Sequence, residues 1–179
     1  MAVGNLEFIQ SVTATGASSL SIDEVFTDKY DVYYISLQGF DQNNTTAARY
    51  VYRFLDSTGT IITASEYDYA GLDMRSGTAF AERKGTNATS MDLYFIMDNG
   101  TGYGGTGGVY VYNPADTGSY TFLTAQTSAY SNDTNLLGTK AIGVHKVAEA
   151  IRGFNITEFS GGAFTIDNGK MSVYGLASN

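Results

Sequence analysis

The sequence predicts a single domain built from β-strands and arranged as an antiparallel sandwich, and three observations support this prediction. The chain has 179 residues, a length that suits one domain better than two. Ser, Thr, Asn and Gly dominate its polar half beside 14 Tyr and 10 Phe, a mixture that favours strands and turns over helices. Apolar and polar residues alternate with a period of two along most of the chain.

The alternating segments follow one another at short intervals. In DVYYISLQGF (31–40), one face holds Tyr33, Ile35 and Leu37. In RYVYRFLDSTGTIITASEY (49–67), two alternating runs flank the tetrapeptide 56–59, which predicts a hairpin with Gly59 at a positive φ. We expect roughly ten short strands, the others lying in SMDLYFIMDNG, GGVYVYNP, SYTFLTAQTSAY, FNITEF, AFTIDNG and KMSVYGL.

Helical signal is weak and confined to two segments. EYDYAGLDMRSG (66–77) can hold one helical turn. HKVAEAIRGF (145–154) has helix-favouring residues with Val147, Ala148 and Ile151 on one face, but Gly143 and Gly153 bound it, and Val144 and Ile151 also suit a strand. Periodicity alone therefore leaves the second segment open between helix and strand.

A glycine-rich stretch, TGYGGTGG (101–108), carries the spacing G-x-G-x-x-G. A dinucleotide-binding loop with this spacing follows a parallel strand and opens a helix, whose N-terminus holds the pyrophosphate. Here another alternating segment, GGVYVYNP, follows the glycines, so no helix is available. We interpret the stretch as a flexible connection between strands, with Thr101, Tyr103 and Thr106 in an exposed interaction loop.

Composition and charge exclude several classes of partner. The formal charge is −8 and the 10 Lys and Arg residues are scattered, so we expect no nucleic-acid partner. The absence of Cys excludes disulfides and thiolate metal sites. MAVGNLEFIQSV at the N-terminus has no basic region followed by an apolar run, and no stretch reaches the ~18 apolar residues of a membrane span. We therefore expect neither a signal peptide nor a membrane anchor.

The residues with catalytic or metal-binding capacity form no recognisable motif. His145 is the only histidine, so we predict no histidine-based metal site within one chain and no Ser-His or Cys-His nucleophile pair. Glu66, Asp68 and Asp73 lie close in sequence and can be imagined as glycosidase carboxylates, but an exposed acidic loop explains them as well. Neither this segment nor Asp98 with the following asparagine matches a calcium-loop pattern. We predict no catalytic residue, cofactor or metal.

The C-terminal segment EAIRGFNITEFSGGAFTIDNGKMSVYGLASN (149–179) is the most informative part of the sequence. Its pattern of AIR-x-F, a Ser/Gly turn, an apolar strand and a final SVYGL resembles the closing strands of tailed-phage virion proteins. These are small tail-fibre, head-fibre and capsid-decoration proteins of marine-phage type. RYVYRFLDSTGTIITASEYDYAG (49–71) is similar to the hairpin of that group.

The resemblance implies a jelly-roll sandwich in which AIR lies in a strand and SVYGL forms the last strand. The residues Asp167-Asn168-Gly169 themselves predict a hairpin or tight turn between AFTI and KMSVYGL. The resemblance implies no common catalytic residues. We therefore expect a non-enzymatic virion protein, made in the host cytoplasm. Its predicted role is exterior capsid decoration as a homotrimer that contacts the major capsid or a tail protein.

The alternatives are a tail-fibre or receptor-binding module that recognises host-surface glycans through Tyr and Asn, and a polysaccharide-degrading enzyme that uses the carboxylates named above. The glycan alternative draws on the 14 tyrosines, although packing within strands explains most of them.

The N-terminus is the predicted docking segment. We divide the chain into an arm, 1–12, and a sandwich domain, 13–179, and expect Leu6, Phe8 and Ile9 to dock, because a terminal strand can add to the edge of a neighbour's sheet. Deletion of residues 1–12 is expected to abolish binding to the particle while the domain still unfolds cooperatively. Retained binding in a co-sedimentation assay would contradict this role.

Overall fold

The computed structural model describes residues 5–43, 48–97, 99, 104–130, 135–159 and 164–177. These residues form twelve strands, all paired antiparallel, and they include no helix that could cross a membrane. The strands are β1 (Leu6–Thr13), β2 (Ser19–Ile22), β3 (Val32–Gln42), β4 (Ala48–Leu55), β5 (Tyr67–Arg75), β6 (Ala81–Ala88), β7 (Met91–Met97), β8 (Gly104–Tyr112), β9 (Thr121–Tyr130), β10 (Leu136–His145), β11 (Gly153–Glu158) and β12 (Ile166–Leu176).

The strands form two sheets that pack face to face. The large sheet has the order β1-β12-β3-β8-β9-β10-β5-β6, and the small sheet has the order β2-β11-β4-β7. In each sheet of a jelly roll, strands from the first half of the chain lie beside strands from its second half, and both sheets contain this arrangement here. Eight strands follow this arrangement, β1-β12-β3-β8 in the large sheet and β2-β11-β4-β7 in the small sheet, and β9, β10, β5 and β6 extend the large sheet beyond β8. The prediction of a jelly-roll-like antiparallel sandwich is confirmed.

The core lies between the two sheets and is rich in aromatic rings. The alternation predicted for β3 is confirmed, since Tyr33, Ile35 and Leu37 are fully buried. Between the sheets, the ring of Phe40 on β3 lies 5.6 Å from that of Phe95 on β7 in an edge-on contact. Such pairs add about 0.5–1.5 kcal/mol beyond the area they bury.

One buried tyrosine links the two sheets by hydrogen bonds. Tyr67 begins β5 in the large sheet, and its hydroxyl accepts a hydrogen bond from the backbone N–H of Phe54 on β4 at 3.0 Å. The same hydroxyl donates to the carbonyl of Ile62 at 3.3 Å. By contrast, the buried hydroxyl of Tyr52 has no hydrogen-bond partner among the described residues. Burial raises the pKa of both phenols well above the ordinary value.

Conversion of each tyrosine to phenylalanine should distinguish the hydrogen-bonded hydroxyl of Tyr67 from that of Tyr52, which has no partner among the described residues. Tyr67→Phe leaves the buried N–H of Phe54 without an acceptor, so we expect it to destabilise the fold by about 1–3 kcal/mol. Tyr52→Phe removes a buried polar atom that has no described partner, so we expect no loss of stability. Chemical denaturation of the two variants measures the difference. Equal destabilisation would contradict this assignment of the hydrogen bonds.

The predicted turn at 56–59 is present, but the hairpin is shorter than expected. Gly59 has a φ of 85° and donates its N–H to the carbonyl of Asp56. The carboxylate of Asp56 accepts hydrogen bonds from Thr58 and Thr60, which lower its pKa. The second arm meets β4 at one isolated bridge, Leu55 with Ile61. The chain then enters the large sheet as β5, so the helical turn considered for 66–77 is also wrong.

The segment 146–152 is neither helix nor strand, and the strand expected at AIR is wrong for Ala150, Ile151 and Arg152. This segment connects the large sheet to the small one, and its backbone N–H groups donate to another connection and to the end of β4 instead of to a regular ladder. The N–H of Ile151 donates to Pro114, and that of Arg152 donates to Leu55. The Arg152 guanidinium also binds both carboxylate oxygens of Asp23 at 3.0 Å.

The tight turn expected at 167–169 is instead an irregular part of a continuous strand. β12 pairs with β3 throughout, with register shifts on both sides of Asn168. The N–H of Asn168 donates to the carboxylate of Asp41 on β3 at 2.9 Å. Gly169 has a φ of 132° and lies against the ring of Phe40, where a side chain would collide. The Asp-Asn-Gly signal therefore marks a bulge and not a reversal of the chain.

Candidate functional site

The face of the large sheet that is turned away from the small sheet, here called the outer face, carries a row of aromatic rings. The row crosses four adjacent strands through Phe8, Tyr174, Tyr34 and Tyr110, which are paired in register. Successive ring centroids are 5.6, 6.2 and 5.0 Å apart. Phe8 is 56% exposed and Tyr110 is 41% exposed, so the row offers its surface to a partner.

The outer face continues beyond Tyr110 as an exposed apolar surface. In register with Tyr110, Thr124 pairs with Ile142 on β10. Ile142 is 61% exposed, near Phe122 at 49% and Leu72 at 39%. Contiguous exposed apolar patches larger than a few hundred Å² are uncommon on monomeric proteins and mark sites of interaction. The outer face therefore has the properties of a binding surface.

A trough of about 740 Å³ lies in this surface beside Tyr34 and Tyr110. Gly108 helps to form it, because a Cβ at this position would lie 2.6 Å from the ring of Tyr34. Gln126 and Lys140 line the trough from β9 and β10, together with hydroxyls. The trough thus combines aromatic rings with hydrogen-bond donors and acceptors.

The residues predicted to dock lie on β1. Leu6 and Phe8 are exposed, whereas Ile9 is partly buried and packs against the core. β1 is an edge strand that pairs with β12, so the boundary predicted at residue 12 falls inside an element of the sandwich. The opposite edge of β1 pairs with no described strand, which leaves its backbone groups open to a neighbour. Docking by this segment stays a prediction.

The glycine-rich stretch serves strand packing where the structure describes it. Thr101 and Tyr103 lie outside the described residues, and Thr106 lies in β8, where its hydroxyl donates to the carbonyl of Leu37 at 2.8 Å. A Cβ on Gly107 would lie 2.5 Å from the backbone oxygen of Gln126 on β9. The prediction of a loop is therefore wrong for 104–108, which belongs to β8, and at Gly107 the neighbouring strand approaches too closely for a side chain.

The three carboxylates considered for glycosidase chemistry are engaged by three different groups. Asp68 binds the Lys146 ammonium at 2.8 Å, which lowers its pKa. Asp73 is buried and binds Arg83 at 2.7 Å. Glu66 lies 3.0 Å from Nε2 of His145. These partners hold the carboxylates in separate contacts instead of one facing pair.

His145 is fully buried at the end of β10 and meets a second carboxylate as well. Oε1 of Glu149 lies 3.6 Å from the same Nε2 atom. The sequence contains a single histidine, and one imidazole alone does not predict a metal site. The structure adds two carboxylates to the single imidazole, from positions 79 residues before it and four residues after it.

Among the residues named on the outer face, the sequence predicts a contact role for Phe8 alone, and the tyrosines are interpreted as packing within strands. In VYVY (109–112), however, both alternating sets are apolar. Val109 and Val111 are buried, which leaves Tyr110 and Tyr112 on the outer face. Apolar residues on both faces of a strand can indicate an exposed apolar face. The same pattern is equally typical of a strand that is buried on both sides.

No protein-family model matches the sequence, and a search of curated proteins finds no significant match. Among solved structures, the chain is similar at a low level to the CBM2 module of the evolved Dit of Lactobacillus casei BL23 phage J-1. The identity is 10% and the TM-score 0.24, over 99% of this chain and 82% of that chain. A likeness of this strength assigns neither family nor function.

Proposed function

We propose that this protein is a non-enzymatic structural component of a tailed-phage virion that assembles through the outer face of its large sheet. The most specific role we propose is exterior capsid decoration, as a homotrimer that also contacts a capsid or tail protein. The observation that carries the assembly proposal is the exposed apolar surface around Ile142. The virion assignment rests on the C-terminal motifs that resemble phage virion proteins.

The chemistry of the outer face favours a second copy of the chain as its occupant. Ile142 and Leu72 are aliphatic and Phe122 is a plain phenyl ring, so burial against protein satisfies all three. The chain carries a charge of −8, and copies therefore repel one another unless they meet through a surface with few charges. Stable contacts bury about 1,600 Å², and closed rotational symmetry repeats the same contact in each copy.

Two measurements test this proposal. Light scattering coupled to size-exclusion chromatography should give about three times the 19.2 kDa mass of one chain. Mass spectrometry of purified particles of the phage that encodes the sequence should detect its peptides. A monomer at high concentration, together with absence from the particles, would contradict the proposal.

Recognition of host-surface glycans is the second candidate function, and the trough favours it. Tyr34 and Tyr110 can stack on the apolar face of a sugar ring, while Gln126 and Lys140 can bond its hydroxyls. If the protein has this function, it should bind glycans on an array, and the Tyr110→Ala variant should not bind them. An oligomer that binds no glycan supports assembly, and a monomer that binds one supports recognition.

A further inference from the structure

Three side chains from separate parts of the chain converge at one end of the sandwich. His145 ends β10, Glu66 directly precedes β5, and Glu149 lies in the connection to β11. Nε2 of His145 lies 3.0 Å from Oε2 of Glu66 and 3.6 Å from Oε1 of Glu149. One ligand atom from each of the three lies within 4.8 Å of those of the others. The backbone N–H of Lys146 donates to the carbonyl of Glu66 at 2.8 Å, which fixes the two strand ends together.

This arrangement places two carboxylates against a nitrogen that can donate only one hydrogen bond. The adjacent ammonium of Lys146 does not neutralise them, because it binds Asp68 at 2.8 Å and the side chain of Asn87. A cation bound at this point would stabilise the two negatively charged carboxylates.

The imidazole has a fixed place in the core. The ring of His145 is fully buried, near the rings of Tyr67 at 5.2 Å and Phe54 at 6.3 Å. In this position its Nε2 atom faces the two carboxylates.

We propose that Glu66, His145 and Glu149 bind a divalent transition-metal cation, and that zinc is the best fit. Zinc takes imidazole nitrogen and carboxylate oxygen ligands at about 2.0–2.2 Å in a tetrahedron, which places neighbouring ligand atoms about 3.3–3.5 Å apart. The separations of 3.0 and 3.6 Å from Nε2 lie on either side of that range. Glu66 and Glu149 are 32% and 38% exposed, so water can reach the fourth position. Calcium and magnesium prefer oxygen ligands alone, and the imidazole disfavours them.

The cation joins two sequence-distant parts of the fold. Glu149 belongs to the segment 146–152, which carries the chain from the large sheet to the small one. The cation ties this segment to the start of β5, and the unfolded chain lacks the preformed ligand set. Binding to the native state alone therefore stabilises it.

Thermal unfolding of protein treated with EDTA and then given zinc, calcium or magnesium chloride tests this proposal. We expect zinc at a hundredfold excess over its Kd to raise the melting temperature by about 5–10 °C, and the other two ions to have little effect. Glu149→Gln, which changes a partly exposed side chain, should abolish the increase. Glu82→Gln, at an exposed carboxylate on β6, is the matched control and should retain it. No increase with zinc, or an equal increase in Glu149→Gln, would overturn the proposal.

Nitrogen-15 NMR gives a second readout that does not depend on stability. The chain contains one histidine, so its imidazole gives a single pair of ring nitrogen signals. Zinc should shift the Nε2 signal in the native protein and leave it unchanged in Glu149→Gln. An Nε2 signal that zinc does not move in the wild-type protein would exclude His145 as a ligand.

Discussion

Replacement of Arg83 by methionine is expected to destabilise the protein by about 3–5 kcal/mol, because it leaves a buried carboxylate without its cation. The carboxylate belongs to Asp73, whose side chain is 1% exposed. Nε of Arg83 donates to Oδ2 of Asp73 at 2.7 Å, across neighbouring strands β6 and β5. Methionine keeps most of the apolar stem of arginine but none of its donors, so the effect reports on the lost charge pair.

Two controls make this prediction specific to the buried pair. Lys84→Met, at the next residue of β6, breaks an ion pair with Glu82 in which both side chains are more than three-quarters exposed, and should change stability by less than about 0.5 kcal/mol. The double variant Asp73→Val/Arg83→Met removes both charges and should recover most of the loss. Urea denaturation measures all three. A double variant no more stable than Arg83→Met would contradict the electrostatic explanation.

Replacement of Ile142 by glutamate is expected to convert the proposed oligomer into monomers, with self-association weakened by at least about a hundredfold. Ile142 is 61% exposed near the middle of the outer face, with neighbours on β9 and β5. A carboxylate at this position would lose its hydration on association, and each copy would bring its own charge to the interface. The fold should be unaffected, because the side chain already lies in solvent in one chain.

The matched control places the same charge at an exposed ring outside the large sheet. Phe159 is 51% exposed directly after β11 of the small sheet, where it lies under the Arg49 guanidinium. Phe159→Glu should leave the mass measured by light scattering unchanged. If both variants dissociate the oligomer, or if neither does, the outer face is not the assembly surface.

Local sequence patterns are enough to predict the class of fold and the buried face of β3. The alternation of Tyr33, Ile35 and Leu37 predicts one buried face, because successive side chains of a strand point to opposite sides. Asp56 to Gly59 predicts a turn, because glycine adopts a positive φ without a steric cost. Both predictions depend on local geometry, which neighbouring residues specify.

Which strands share a sheet, and which side chains meet, depends on contacts between distant parts of the chain. β4 and β5 are consecutive in sequence yet lie in different sheets. Residues 167–169, Asp-Asn-Gly, form a bulge instead of a turn because β12 pairs with β3 on both sides of them. Glu66 and His145 are 79 residues apart, so no local pattern connects them. Likewise, alternation cannot show which apolar face of β8 the small sheet covers. Contacts between distant residues depend on how the sheets pack, and that packing assembles both the outer face and the proposed cation site.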